Sequence, residues 1–144
     1  MPDWIRKNIL YIAWAQAVVA MAGSLFFSEV MKFPPCVLCW YQRICMYPLV
    51  AILGVGIYTK DKRVHYYVLP LSVIGLAIAL YHNLLYYNIL PENLAPCVAG
   101  ISCTIKFFAW FGFITIPLLS LTAFAIITAC MLIFSHSKKK WLIN

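Results

Sequence analysis

The chain has 144 residues, 65% of them hydrophobic and only 10% charged. A soluble domain of this size cannot hide so much apolar surface, which leaves an integral membrane protein. The net charge of +7 is spread in short basic clusters between apolar runs. That is the pattern that orients a membrane protein, and it excludes a nucleic-acid-binding patch.

Four apolar runs follow one another, at residues 8–27, 41–58, 68–87 and 110–134. Each is near the ~20 residues that a helix rising ~1.5 Å per residue needs to cross ~30 Å of hydrocarbon. The first begins after Arg6-Lys7 and contains Ala20-Met21-Ala22 before Gly23, as a cleavable signal peptide would. It runs on through Leu25-Phe26-Phe27, however, which favours a retained span. The second run carries Pro48 and the fourth Pro117, both read as interior kinks; Pro70 is read as lying in the first turn of the third. Trp4, Trp14, Trp40, Tyr41, Tyr66, Tyr67, Tyr86, Tyr87, Trp110 and Trp141 cluster at or near the ends of the runs, as interfacial aromatics do. The expected fold is an all-α, four-transmembrane-helix bundle, with residues 1–144 forming a single membrane domain.

Lysine and arginine set the orientation. Arg6, Lys7, Lys60, Lys62, Arg63, Lys138, Lys139 and Lys140 all fall on one side of four spans; Lys32 and Lys106 fall on the other, with Arg43 at the membrane edge. The positive-inside rule then places both termini in the cytoplasm.

Of six cysteines, Cys36 and Cys39 lie in the first outside loop and Cys97 and Cys103 in the second, on the oxidising side where disulfides persist. Cys36-Val37-Leu38-Cys39 opens the second helix behind Pro34-Pro35. The macrodipole there stabilises a thiolate, for which Cys39 is the expected holder, and Arg43, one turn on, adds a fixed positive charge. Cys97 and Cys103 bracket five residues in a segment holding Pro91, Pro96 and Gly100. Two structural staples are the plain alternative for these pairs. Together they also compose a two-stage thiol–disulfide relay. A metal site from the four outside thiols is a third reading, and the five-residue gap makes a poor second metal-binding knuckle.

Cys45 and Cys130 lie inside apolar runs and are expected to be core residues. His82 lies toward the outer end of the third run, where an intramembrane ionisable residue is a functional candidate. His65 and His136, near cytoplasmic ends, are expected to be solvated. Gln16 and Ser24 are expected to hydrogen-bond between helices.

The string Cys36-Val37-Leu38-Cys39-Trp40-Tyr41-Gln42-Arg43 closely resembles the DsbB family of membrane disulfide-bond formation proteins, and most nearly its shorter, bacillus-type, BdbC-like branch. The resemblance implies a thiol oxidase of the bacterial cell membrane that passes electrons to a quinone (menaquinone or ubiquinone) without a bound metal. It implies that Cys36 and Cys39 are the quinone-proximal pair, with Cys39 engaging the ring and Arg43 beside it. It also implies that Cys97 and Cys103 exchange with an extracytoplasmic DsbA-like (BdbD-like) thioredoxin-fold thiol oxidase, and that His82 lies near the quinone pocket. The longer family members separate their second pair by a much longer loop; the short gap here suits the short branch. The alternative function is a non-catalytic membrane adaptor with two structural disulfides.

Overall fold

The computed structural model describes residues 3–32, 34–91, 93, 109–110 and 114–143. The chain forms helix α1 (Asp3–Leu25), continued by a π-helical segment (Phe26–Val30), then α2 (Val37–Tyr58) and α3 (Val64–Tyr86). A two-residue antiparallel ladder of β1 (Ala109–Trp110) and β2 (Ile114–Thr115) precedes α4 (Ile116–Ile143). Stretches Asn8–Val30, Val37–Tyr58, Val64–Tyr86 and Ile116–Ser137 are each long and apolar enough to cross a membrane. Between 17% and 39% of each apolar window is buried inside the protein, and the rest reaches its surface at least in part. An outward-facing apolar surface of this extent belongs in lipid.

Each helix packs against its neighbours in sequence, and α4 closes the ring on α1. The contacts show antiparallel packing: Ser24 meets Arg43 and Trp14 faces Gly54 between α1 and α2, while Asn83 meets Pro117 and Ser72 meets Thr128 between α3 and α4. Small residues allow close approach where lipid supplies no hydrophobic drive between helices. A Cβ added at Gly75 would overlap the edge of the Phe124 ring. Leu49, Leu53, Val68, Phe124, Ile127 and Met131 fill the core, with Cys45 buried in it and Cys130 packed against it, as expected.

The helix ends differ from the sequence-based expectation in an instructive way. α3 begins four residues before the apolar run, at Val64, so Pro70 is interior rather than in the first turn. α4 begins at Ile116 rather than at Trp110, which moves Pro117 out of the interior and into the first turn, where its missing N–H costs nothing. Residues 109–110 and 114–115 form the ladder instead of helix. α2 and α3 both end in Schellman motifs. Asp61 N–H donates to Gly56 C=O at 2.9 Å and Ile89 N–H to Leu84 C=O at 3.0 Å. The left-handed residues there are Lys60 and Asn88, at φ 54° and 58°, where glycine is usual. His65 is buried, not solvated, and stacks near Tyr66 and Phe134 with ring centroids 4.2 and 5.7 Å away; His136 is exposed, as expected.

Candidate active site

Pro34-Pro35 bring the chain to α2 in extended form. Cys36 is the N-cap residue, at φ −75° and ψ 172°, and its carbonyl accepts the first helical bond from Trp40 N–H at 3.1 Å. The free N–H groups of the first turn therefore surround the cysteine pair with positive potential. One turn separates the two cysteines, so their side chains meet: Sγ to Sγ is 3.2 Å, with both thiols free. Cys36 is buried with Leu38 and Leu85, and Cys39 packs against the same cluster.

His82 comes from α3. Its Nε2 lies 3.8 Å from Cys36 Sγ, and its Nδ1 lies 3.3 Å from the Nε2 of Gln42. The histidine is thus held between a cysteine and an amide, and is 3% exposed. The hydrogen-bonding Cys39 thiol, aided by the imidazole, holds the Cys36 thiol well below the ordinary range although burial opposes the charge. The preference for negative charge thus extends to Cys36, at the N-cap, next to the Cys39 on which sequence reasoning expected it.

Arg43 reaches α1 rather than lipid. Its Nε donates to Ser24 Oγ at 2.8 Å and its Nη2 to the Ser24 carbonyl at 2.9 Å, and its guanidinium lies 5.3 Å from the centroid of the Trp40 ring. This fork fixes the cation while leaving it within Coulombic range of Cys39. Ser24 thus makes the interhelical bond expected of it. The α1 backbone widens into its π turn two residues later, and Phe27 and Ser28 from that turn join the wall of a cavity.

The cavity has a volume of about 300 Å3. Cys36, Cys39, Arg43 and His82 line it together with apolar side chains that include Val19, Phe27 and Met46. Gln16 and Tyr47 line it deeper along α1 and α2. A mostly apolar chamber with a few convergent polar groups suits a small apolar ring carrying polar substituents. The Tyr47 hydroxyl oxygen is buried without a hydrogen-bond partner among the described residues.

The structure brings Cys36, Cys39, His82 and Arg43 together at one end of the bundle. Cys97 and Cys103 lie outside the described residues. Sequence reasoning missed Gln42, although it sits in the motif itself. Cys39 and Gln42 are one turn apart, a spacing that points both toward α3, and this was the available signal. The ligating atoms of Cys36, Cys39 and His82 lie within 4.8 Å of one another, and among the described residues no fourth His, Cys, Asp or Glu joins them. A closed structural zinc site takes four ligands.

A free dithiol with an imidazole at one sulfur, facing an apolar chamber among four membrane-crossing helices, defines a membrane thiol–disulfide oxidoreductase. The family model described as "Disulfide bond formation protein DsbB" matches residues 6–134. The chain is 48% identical to disulfide bond formation protein C of Bacillus subtilis, over 94% of this chain and 98% of that protein. It is 48% identical to probable disulfide formation protein C 2 of Bacillus cereus, over 96% and 99%, and 42% identical to a probable disulfide formation protein of Metapseudomonas resinovorans, over 92% of each chain. No solved structure matches the chain significantly. The chain belongs to the DsbB family, the disulfide-generating oxidoreductases of the bacterial cell membrane.

Proposed function

We propose that this chain reoxidises an extracytoplasmic thioredoxin-fold thiol oxidase of the DsbA or BdbD kind and delivers the electrons to menaquinone or ubiquinone. The observation that carries this reading is the cysteine pair, with His82 at Cys36 and Arg43 near Cys39, facing an apolar cavity inside the spans. The distribution of lysine and arginine supports cytoplasmic termini and cysteine pairs on the outer side, the side on which such a partner would work.

The reduced partner's thiolate attacks the Cys97–Cys103 disulfide. Its second thiol resolves the mixed disulfide, and the partner leaves oxidised. The reduced loop pair exchanges in turn with the Cys36–Cys39 disulfide, returning Cys97–Cys103 to the oxidised form and leaving two thiols on α2. When bound, the quinone supplies a sink for two electrons and two protons. Cys39, within reach of the Arg43 charge, is the sulfur presented to it. Cys36, its proton loosened by the neighbouring thiol and by His82, closes the disulfide. Each ~30 mV of potential difference along this two-electron path corresponds to ~1.4 kcal/mol, so small steps give it direction.

The test is anaerobic quinone absorbance on detergent-solubilised protein given a reduced thioredoxin-like dithiol. Loss of the oxidised-quinone signal should require Cys36, Cys39, Cys97 and Cys103. Full turnover in Cys39→Ser would overturn the reading. Intact, unreactive disulfides with either quinone would point instead to the adaptor.

A further inference from the structure

The sulfurs of Cys36 and Cys39 and the ring of His82 form a donor set as well as a redox centre. Cys36 Sγ lies 3.2 Å from Cys39 Sγ and 3.8 Å from His82 Nε2, and the three ligating atoms all fall within 4.8 Å of one another. A tetrahedral Zn2+, with bonds of about 2.3 Å to sulfur and 2.0–2.1 Å to nitrogen, holds its sulfurs about 3.8 Å apart and each about 3.6 Å from the nitrogen. The Cys36–His82 distance already fits. Small side-chain movements that part the sulfurs and draw Cys39 toward His82 complete the triangle.

The surroundings suit an ion as well. The far ring nitrogen of His82 lies 3.3 Å from the Gln42 amide, whose oxygen, turned toward it, accepts the Nδ1–H and leaves the Nε2 lone pair free to bind. Two thiolates and a neutral imidazole cancel the charge of a divalent cation, so the centre adds no net charge between the spans. All three residues line the cavity, which leaves room for a fourth ligand such as water. Thiolate and imidazole together select thiophilic cations such as Zn2+, Cd2+ or Cu+ over Mg2+ and Ca2+. Closing the Cys36–Cys39 disulfide removes two of the three donors, so the set exists in the reduced chain alone.

We infer that the reduced chain binds one thiophilic cation of the Zn2+ class through Cys36, Cys39 and His82, and that the bound ion holds the dithiol out of turnover. Binding sends the two thiol protons to solvent and forms two metal–sulfur bonds and one metal–nitrogen bond; no electrons move. Neither sulfur then attacks a quinone or closes the disulfide until the ion leaves. The binding stands on the donor geometry, and the block rests on the quinone reading above.

The test uses the full chain carrying Cys97→Ser and Cys103→Ser, so that no second thiol pair competes, stripped of metal and kept without oxygen in detergent. Cd2+ is titrated into reduced and oxidised samples and followed by its thiolate charge-transfer absorbance. The reduced chain should take up one Cd2+, and the oxidised chain none at the same concentrations. His82→Ala should weaken binding by about 10–100-fold, and Gln42→Leu by about tenfold. Zinc X-ray absorption on the reduced chain should find two sulfurs at about 2.3 Å and a nitrogen at about 2.0–2.1 Å, which reads His82 without altering it. The metal-free reduced chain should reduce one equivalent of short-chain quinone, and the zinc-loaded chain none until a chelator is added. Equal uptake by reduced and oxidised chains, or a zinc shell without nitrogen, would overturn the site. Zinc that binds yet leaves quinone reduction unchanged would overturn the block. A metal-free chain that takes up Cd2+ but reduces no quinone would overturn the quinone reading and the block with it, and leave the metal site standing.

Discussion

Gln42 and His82 meet across the α2–α3 interface at 3.3 Å, on the ring nitrogen opposite the one that faces Cys36. The amide can donate to a bare Nδ1 or, turned over, accept from a protonated one. His82 can therefore present Cys36 with a lone pair when the cysteine is a thiol and with an N–H when it is a thiolate. Gln42 touches neither sulfur; it is a positioning residue.

This arrangement sets a pH signature. Hydrogen bonding from Cys39 and then His82 favours the charged form of Cys36, so its proton leaves below the ordinary thiol pKa of about 8.5. The associated stability is fully present above the ordinary value and is lost as pH falls through the lowered folded one. Alkylation of Cys36 in reduced protein, followed by mass spectrometry across pH, should show that lowered midpoint. Cys39→Ala should raise it most and His82→Ala less. Gln42→Leu should raise it while leaving both sulfurs in place. A wild-type midpoint in the ordinary thiol range would contradict the account.

Arg43 should resist replacement by lysine. An ammonium keeps the charge but lacks the planar fork that reaches the Ser24 hydroxyl and carbonyl from two separate nitrogens. Arg43→Lys is expected to lower unfolding stability in detergent by about 1–2 kcal/mol, and Ser24→Ala by less. A double-mutant cycle between the two should return a coupling of at least ~0.5 kcal/mol; strict additivity would mean that the fork carries no energy.

Gly75→Ala tests the α3–α4 contact. The added methyl meets the ring of Phe124, which is fully buried. Overpacking of this kind costs about 1–3 kcal/mol. Thermal unfolding should show it, and Phe124→Leu in the same chain should recover part of the loss.

The opposite sign is expected at Lys60. Its left-handed backbone at the end of α2 suits glycine, and Lys62 and Arg63 preserve the basic cluster. Lys60→Gly should raise stability by up to ~1 kcal/mol. A drop in the unfolding midpoint would show that the lysine side chain contributes more than its backbone strain costs.

Much of this was legible in the chain because it follows from local pattern. Apolar runs gave the four helices, and one-turn spacings brought Cys36 to Cys39 and placed Arg43 beside them. What escaped depends on neighbours in space. Helix α3 starts a turn before its apolar run because buried Val64 and His65 pack inward there, which hydropathy alone does not report for a histidine. The early residues of the fourth run are as apolar as the rest, yet Ala109 and Trp110 pair with Ile114 and Thr115 instead of turning into helix. Gln42 reads as an ordinary interfacial amide until α3 brings His82 to it.

The π turn at Phe26–Val30 carries an evolutionary and engineering consequence. Such a turn is an α-helix holding one residue more than its hydrogen-bond ladder needs. Deleting a single residue between 26 and 30 would let the ladder close as ordinary α-helix. Every residue before the deletion would then be rotated by about 100° relative to the loop that leads to Cys36. Ser24 would swing away from Arg43, and Gln16 and Ala20 would leave the cavity wall. The phase of the first helix, and with it one side of the chamber, thus hangs on a single-residue insertion, which makes this segment the place where length variation should be least tolerated.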